Sequence, residues 1–253
     1  MRKKTQVVKI GNVAIGGENP VAIQSMTKTD TKDIEATVAQ IQTLTDAGCQ
    51  IVRSAIYDEE CARCIPAIKD AIRIPFVADV HFDAHIAVAA IECGVDKIRI
   101  NPGNIGDKDK IVSVVDAAKA HHIPIRVGAN SGSIPADVLE QYGKPTADAL
   151  IESALQNIRI LEKQGFTDIV VAIKSSNVNV CVEAYRKISK ILDYPLHLGV
   201  TEAGTCNNAI IKSSVALGAL LLDGIGDTFR VSVTGDPVQE IAIAKEILDN
   251  IIQ

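Results

Sequence analysis

Short runs of apolar and β-branched residues alternate along the chain with longer stretches in which apolar residues recur every three or four positions. The first pattern is typical of buried strands and the second of amphipathic helices. Eight runs have the composition and length of strands: Val21–Ser25, Ile51–Ser54, Ile74–Val80, Lys97–Asn101, Ile123–Val127, Asp168–Lys174, Leu196–Val200 and Thr228–Val233. Helical spacing is clearest in two sets of positions: Ile34, Val38, Ile41 and Leu44, and Leu150, Ala154, Ile158 and Leu161.

The order of these elements predicts an α/β fold, a (β/α)8 TIM barrel that forms a single domain over residues 1–253. Strands that alternate with helices form a parallel sheet with right-handed crossovers, and eight such units fit the usual length of a TIM barrel. An open doubly wound sheet would normally have fewer strands and a glycine-rich phosphate loop, but Gly11–Glu18 lacks the Lys-Ser/Thr pair of a P-loop. Two apolar segments that flank Gly11-Asn12 predict a short N-terminal β-hairpin at the bottom of the barrel.

Composition excludes several classes of protein. Hydrophobic residues make up 47% of the chain and the formal net charge is −5, which argues against disorder. A negative charge, together with no Trp, four Tyr and four Phe, argues against a nucleic-acid-binding protein. No apolar stretch has the length of a transmembrane helix, and the basic residues after Met1 do not lead into the apolar segment of a signal peptide. We therefore expect a cytoplasmic protein that does not associate with membranes.

Five cations fall near the carboxyl ends of five different predicted strands, which is where a TIM barrel places its functional site. They are Arg53, Arg99, Arg126, Lys174 and Arg230. Like charges that converge repel one another unless an anion lies between them, and guanidinium groups match phosphate oxygens in geometry. Five cations exceed what one phosphate needs and indicate a diphosphate or two phosphates. The alternative is that each arginine pairs with a neighbouring carboxylate or lies outside the barrel.

Three further residues at these strand ends are candidates for acid–base chemistry. Asp79 and His81 are two positions apart on a strand and therefore share a face. Substrate hydrogen bonding or proton transfer is favoured over metal binding, because His85 is the only further histidine nearby. A purely structural pair is the third possibility. Glu202 stands among cations, so it is either an acid–base group or the partner of one of them in a salt bridge.

The six cysteines do not form an evident metal-binding motif. Cys61 and Cys64 have the spacing of half a metal or cluster site, but they fall in a helical stretch, and packing is the favoured interpretation. A cluster needs three or four ligands, and the other cysteines are dispersed over different strand–helix units. We expect no metal ligands in this chain, and Cys206, just past the seventh strand, is the cysteine expected near the site.

The strand-end segments resemble the family of 4-hydroxy-3-methylbut-2-enyl diphosphate synthases. The matching segments are Val21–Thr27, Ala78–Phe82, Arg99–Asn104, Arg126–Ser133, Lys174–Ser176, Leu198–Gly204 and Ser214–Thr234. The resemblance covers essentially the whole chain, in order. It implies an iron–sulfur oxidoreductase of non-mevalonate isoprenoid biosynthesis, which opens 2-C-methyl-D-erythritol 2,4-cyclodiphosphate by a two-electron reduction with flavodoxin or ferredoxin as electron donor.

The same resemblance assigns roles to individual residues. The substrate would be held by Arg53, Arg99, Asn101, Arg126, Asn130, Lys174, Thr201, Arg230 and Ser232. Asp79, His81 and Glu202 would lie near the reacting carbons, with Glu202 as the favoured proton donor.

The resemblance also implies a 4Fe–4S cluster, which the family carries on a separate C-terminal domain, held by three cysteines and a glutamate. In the family homodimer, that domain of one protomer covers the barrel of the other. No cysteine follows Cys206, so we expect the cluster domain to be absent from this chain, which alone would bind substrate without turning it over.

Two alternatives remain open. Pterin-diphosphate-binding barrels of the dihydropteroate synthase type also place Arg, Asn and Lys at strand ends around a diphosphate, but they carry out no redox step. The other alternative is a non-catalytic diphosphate-binding module.

Overall fold

The computed structural model describes residues 2–81, 83–101, 108–201 and 204–251. Its strands are β1 (Val8–Ile10), β2 (Val13–Ile15), β3 (Ala22–Met26), β4 (Ile51–Ala55), β5 (Phe76–Asp79), β6 (Lys97–Arg99), β7 (Ile125–Asn130), β8 (Ile169–Lys174), β9 (His197–Leu198) and β10 (Thr228–Phe229). Its helices are α1 (Ile34–Ala47), α2 (Glu59–Ala71), α3 (Ala84–Glu92), α4 (Lys108–His121), α5 (Ala136–Tyr142), α6 (Ala147–Glu162), α7 (Val178–Ile188), α8 (Cys206–Leu222) and α9 (Val238–Asp249).

Strands β3 to β10 form the predicted (β/α)8 TIM barrel. They lie in the order β8-β7-β6-β5-β4-β3-β10-β9, and every neighbouring pair is parallel. A parallel bridge between Val171 of β8 and Leu196, just before β9, joins the two edges of this sheet. The Val171 N–H also donates to the Pro195 carbonyl at 2.9 Å. All eight predicted barrel strands are therefore present, although β9 and β10 have only two residues each.

The helices begin and end at residues suited to those positions. The Asp33 side chain accepts a hydrogen bond from the Ala36 N–H at the start of α1, and Thr146 does the same for Ala149 at the start of α6. Gly48 ends α1 with a φ of 107°, in the left-handed region that glycine adopts at little cost. Within the described part of the chain, no helix has both the length and the apolar character needed to cross a bilayer.

Side chains alternate along each strand between the helices and the barrel interior. Outward residues such as Ile23, Val52 and Leu198 belong to the main core between the strands and the helices. The lowest inward residues form a separate apolar cluster: Ala22, Ile51, Val77 and Val170.

The predicted N-terminal hairpin is formed by β1 and β2, which pair antiparallel. Its residues Val8, Ile10 and Ile15 pack against the apolar cluster at the bottom of the barrel. The hairpin therefore closes the amino ends of the strands, and the opposite end of the barrel is left for a site.

Candidate functional site

A pocket of about 250 Å³ opens at the carboxyl ends of the barrel strands. The structure brings eleven of the predicted site residues together in its lining: Arg53, Asp79, His81, Arg99, Asn101, Arg126, Asn130, Lys174, Thr201, Arg230 and Ser232. Glu202, the twelfth, lies outside the described residues. The five cations thus converge on one cavity, and none of them points outside the barrel.

Strand register explains this convergence. Asp79, Arg99 and Arg126 occupy one row across three neighbouring strands, because Asp79 pairs with Arg99 and Arg99 pairs with Arg126. Asn130 and Lys174 form a second pair at the ends of β7 and β8. Residues in register on parallel strands point to the same face, so each of these side chains points into the barrel.

Asp79 is a buried carboxylate that organises one side of the pocket. Its Oδ1 accepts a hydrogen bond from Arg99 at 2.9 Å, and its Oδ2 lies 3.3 Å from Arg53 Nε. His81 Nε2 lies 3.4 Å from Oδ1. Burial alone would raise the pKa of this carboxyl, but Arg53, the hydrogen bond from His81 and Arg99 together hold it well below its usual range. The lowered pKa favours the ionised carboxylate, which orients the guanidinium groups of Arg53 and Arg99.

Arg230 is fixed on the other side of the pocket by Glu240. The two Glu240 carboxylate oxygens accept hydrogen bonds from Arg230 Nε at 2.9 Å and from its NH2 group at 2.8 Å. Glu240 is fully buried in α9 and also accepts a hydrogen bond from Ser25 Oγ at 2.8 Å. The partner of Arg230 in the described structure is therefore Glu240, a residue that the sequence analysis did not single out.

Glu240 could have been found from its place in the helix. It lies on the same face as Ala244 and Ile247, at the i+4 and i+7 positions, and these residues are buried. An acidic side chain on the apolar stripe of a helix needs a partner within the core. Arg230 lies only ten residues before Glu240, but whether the two side chains meet depends on how α9 packs against the barrel.

Met26 contributes a second contact to two of the arginines. Its Sδ lies 2.9 Å from a terminal nitrogen of Arg53 and 3.5 Å from one of Arg230. A thioether is a weak acceptor, so these contacts position the two side chains without neutralising their charge.

Arg126 and Lys174 differ from the other three cations, because the described residues provide neither with a carboxylate partner. Arg126 is 3% exposed, and one of its terminal nitrogens is buried with no hydrogen-bond partner in the described structure. Burial lowers the pKa of both groups, and the neighbouring arginines lower it further. Among the described residues, two carboxylates pair with these five cations, Asp79 in the lining and Glu240 next to Arg230, and the uncompensated charge lies mainly at Arg126 and Lys174. An anion bound there would relieve the repulsion.

Two buried bases below the pocket were also missed by the sequence analysis. Lys97 and His197 are completely buried inside the barrel, on β6 and β9. Strand parity was the signal that could have found Lys97, because it precedes Arg99 by two positions and must share its face.

All six cysteines are free. Cys61 is buried in α2, as its predicted packing role requires, and Cys64 is partly buried on the same helix. Burial raises the pKa of the Cys49 thiol to about 11. Cys206 begins α8 and is not among the residues that line the pocket; its Sγ is 3.9 Å from Gln239 Oε1. Its expected place near the site stays a prediction.

Across the described ranges, no three His, Cys, Asp or Glu side chains are grouped as metal ligands. Since all six cysteines fall within those ranges, the residues present do not fit a 4Fe–4S cluster.

Comparison with known proteins gives a consistent result at the level of sequence. The family model described as the GcpE TIM-barrel domain matches residues 5–245. A Fusobacterium nucleatum protein named 4-hydroxy-3-methylbut-2-en-1-yl diphosphate synthase (flavodoxin) is 58% identical, over 98% of this chain and 70% of that protein. A Geobacillus kaustophilus protein of the same name is also 58% identical, over 98% of this chain and 66% of that protein.

Among solved structures, the dihydropteroate synthase of Yersinia pestis has a TM-score of 0.67 and 12% sequence identity. The match covers 97% of this chain and 100% of that chain. A likeness at that level of identity concerns the fold alone.

Proposed function

Since the chain belongs to the GcpE family, that of the 4-hydroxy-3-methylbut-2-en-1-yl diphosphate synthases, we propose that its barrel binds 2-C-methyl-D-erythritol 2,4-cyclodiphosphate. The bound substrate undergoes a two-electron reductive ring opening to 4-hydroxy-3-methylbut-2-enyl diphosphate. The observation that carries this proposal is the pocket lined by five cations, for which the described residues provide only two carboxylate partners. A ligand with two ionised phosphate groups supplies the negative charge that this arrangement lacks.

The phosphate groups are proposed to bind mainly at Arg126 and Lys174, where no described carboxylate competes with them. Arg53, Arg99 and Arg230 are already aligned by ion pairs and add further donors. The uncharged donors of the lining would complete the shell around the phosphates and hydroxyls: Asn101, Asn130, Thr201 and Ser232. Asn130 Nδ2 lies 3.4 Å from Thr201 Oγ1, so these two can act on one ligand group.

The reaction also needs protons and electrons at the reacting carbons. Asp79, held as a carboxylate, is proposed to accept a hydrogen bond from a substrate hydroxyl beside His81. Glu202 follows Thr201, which lines the pocket, and is proposed as the proton donor. The described residues provide no ligand set for a cluster, so the electrons are proposed to come from a 4Fe–4S cluster on a separate domain. Flavodoxin is the proposed reductant, as the names of the relatives indicate.

The setting of this function is proposed from the family resemblance. The protein is proposed to act in the cytoplasm, as part of a homodimer in which a cluster-bearing domain covers the barrel. A single-domain barrel over residues 1–253 that binds the substrate is the unit proposed for this chain.

Calorimetry on the purified chain tests the proposal directly. The cyclic diphosphate should bind at low ionic strength, and its affinity should fall as salt is added, because charge contributes to its capture. A pterin diphosphate should bind more weakly if the family assignment extends to the substrate. Tighter binding of the pterin diphosphate would favour the dihydropteroate synthase alternative. Binding of the cyclic diphosphate without turnover, even with a cluster-bearing domain and reduced flavodoxin, would leave only a diphosphate-binding module.

A further inference from the structure

A polar layer lies inside the barrel, between the apolar cluster at its base and the charged pocket above. It consists of Gln24, Lys97, His197 and Thr228, each at most 1% exposed. These residues lie on β3, β6, β9 and β10. Their inward direction follows from register, since Thr228 pairs with both Ala22 and His197, and Lys97 pairs with the inward residue Val77.

The polar layer has few hydrogen bonds for groups so deeply buried. Lys97 Nζ lies 3.4 Å from Gln24 Oε1, and no described carboxylate forms an ion pair with it. Gln24 Nε2, both ring nitrogens of His197 and the Thr228 hydroxyl are buried without a partner in the described structure. Buried polar groups normally form hydrogen bonds, so the unpaired groups of this layer can still bind a proton or form further hydrogen bonds.

The titratable side chains that point into the barrel around and above Lys97 are mostly cationic: Arg53 on β4, Asp79 on β5, Arg99 on β6, Arg126 on β7, Lys174 on β8, His197 on β9 and Arg230 just after β10. The single carboxylate among them, Asp79, is already engaged by Arg53 and Arg99. Burial lowers the pKa of Lys97 well below its usual range, and Arg126 and Arg53 lower it further. Burial has the same effect on the pKa of His197, together with Arg126 and Lys174.

We propose that the polar layer takes up one proton when an anion fills the pocket: Lys97 is a neutral amine in the free protein and an ammonium ion in the complex. This inference rests on the proposed function, because it requires a multiply charged anion above the layer. The ligand's negative charge offsets the cations that keep the proton away, and the proton comes from bulk solvent. Lys97 gains it rather than His197, because an unperturbed amine holds its proton to a pH about four units higher than an imidazole.

Proton-linked calorimetry tests this step. Binding of the cyclic diphosphate is measured at about pH 8 in buffers of different ionisation enthalpy, and the slope of the observed heat gives the number of protons taken up. Each phosphate of this ligand has only a strongly acidic proton, so the ligand itself does not titrate near that pH. Wild-type protein should take up close to one proton. Lys97→Met should take up almost none, whereas the matched variant His197→Gln should keep the uptake.

Binding of the wild type without proton uptake overturns the inference, and so does equal uptake by Lys97→Met. The slope measured on the wild-type protein shows by itself whether a proton is taken up, so this result does not depend on whether Lys97→Met folds. Uptake that survives in Lys97→Met but disappears in His197→Gln would assign the proton to the imidazole and overturn the role of Lys97.

A second measurement needs no ligand and separates this inference from the proposed function. Between about pH 7 and 9 the unfolded chain holds the Lys97 proton and the folded protein does not, so stability should rise with pH. Relative to Lys97→Met, the unfolding equilibrium constant of the wild type should fall about tenfold per pH unit. Parallel pH profiles would show that Lys97 is charged in the free protein and would overturn the inference. If the cyclic diphosphate fails to bind at all, the proposed function fails, while this pH series still decides the charge of Lys97.

Discussion

Arg126 contributes a buried guanidinium with no carboxylate partner among the described residues. Each charge-assisted hydrogen bond from it to a phosphate oxygen is worth roughly 1.5–3 kcal/mol. Arg126→Ala should therefore weaken binding of the cyclic diphosphate by about ten- to a hundredfold, as measured by calorimetry at low salt. Arg73→Ala, at an exposed position just before β5 and so at the opposite end of the barrel, is the control and should leave affinity unchanged. Equal affinities of Arg126→Ala and the wild type would contradict the assigned role.

Glu240 has the opposite role, since it stabilises the free protein by balancing Arg230. Removing one partner of a buried ion pair leaves the other charge uncompensated and costs about 3–5 kcal/mol. Glu240→Gln keeps the shape of the side chain and should lower the free energy of unfolding by about 3 kcal/mol in urea denaturation. Glu246→Gln, the same substitution at an exposed position of α9, should change it by less than about 0.5 kcal/mol. Similar losses in both variants would show that the effect comes from the helix and not from the ion pair.

At the scale of single residues, the sequence was enough to identify the cations of the pocket but not the carboxylates that pair with them. Arg53, Arg99 and Arg126 can be predicted from the pattern of the strands, although Arg126 is the second residue of β7, which continues beyond the predicted strand end to Asn130. Glu240 cannot be assigned to Arg230 in the same way, because their contact depends on how α9 packs against the barrel. Lys97 is an intermediate case, because strand parity predicts that it points into the barrel but not that the described residues provide it with no ion-pair partner.

At the scale of elements, hydrophobic periodicity located every barrel strand but not where each one ends. The predicted strand Lys97–Asn101 is assigned as Lys97–Arg99, and Thr228–Val233 as Thr228–Phe229. Single hydrogen bonds continue beyond these ends, from the Ile100 N–H to the Arg126 carbonyl and from the Arg230 N–H to the Leu198 carbonyl. The apolar pattern reflects the burial of side chains, which continues to the rim of the pocket. Strand assignment reflects backbone hydrogen bonding between strands, which is less complete at the rim.

The close approach of β7 and β8 depends on Gly128, which lines the pocket. A Cβ atom on this residue would lie 1.7 Å from the Ala172 carbonyl oxygen, a backbone atom of the paired strand. Gly128→Ala should therefore force the two strands apart, lower the free energy of unfolding by at least about 2 kcal/mol and weaken anion binding.

Gly218→Ala is the control for this substitution. It lies within α8 and a Cβ there meets nothing within 4 Å, so it should stabilise the protein by about 0.5–1 kcal/mol. Thermal unfolding of both variants measures the contrast. A Gly128→Ala protein as stable as the wild type would show that β7 and β8 can separate without cost.

At the scale of the whole molecule, a chain with a net charge of −5 builds a strongly cationic pocket. Average composition conceals this feature, because the five cations are dispersed along the sequence and only the closed barrel brings them together. The barrel could be predicted from the alternation of strands and helices, and the location of the pocket from the general rule that such barrels act at their strand ends. The ion pairs within it could not, because they depend on how separate strands and the last helix pack against one another.

The whole chain should bind the cyclic diphosphate without reducing it. Its pocket supplies the anion site, whereas its six cysteines, all within the described residues, form no ligand set for a cluster. With reduced flavodoxin and the cyclic diphosphate, the chain alone should give no product, and addition of a cluster-bearing domain from a relative should restore some turnover. In that mixture Glu202→Gln should lower kcat far more than affinity, as expected for a group that acts in the transition state. Turnover by the purified chain alone, accompanied by about four irons per chain, would contradict this prediction and would assign a cluster to this chain, whose described residues show no group of metal ligands.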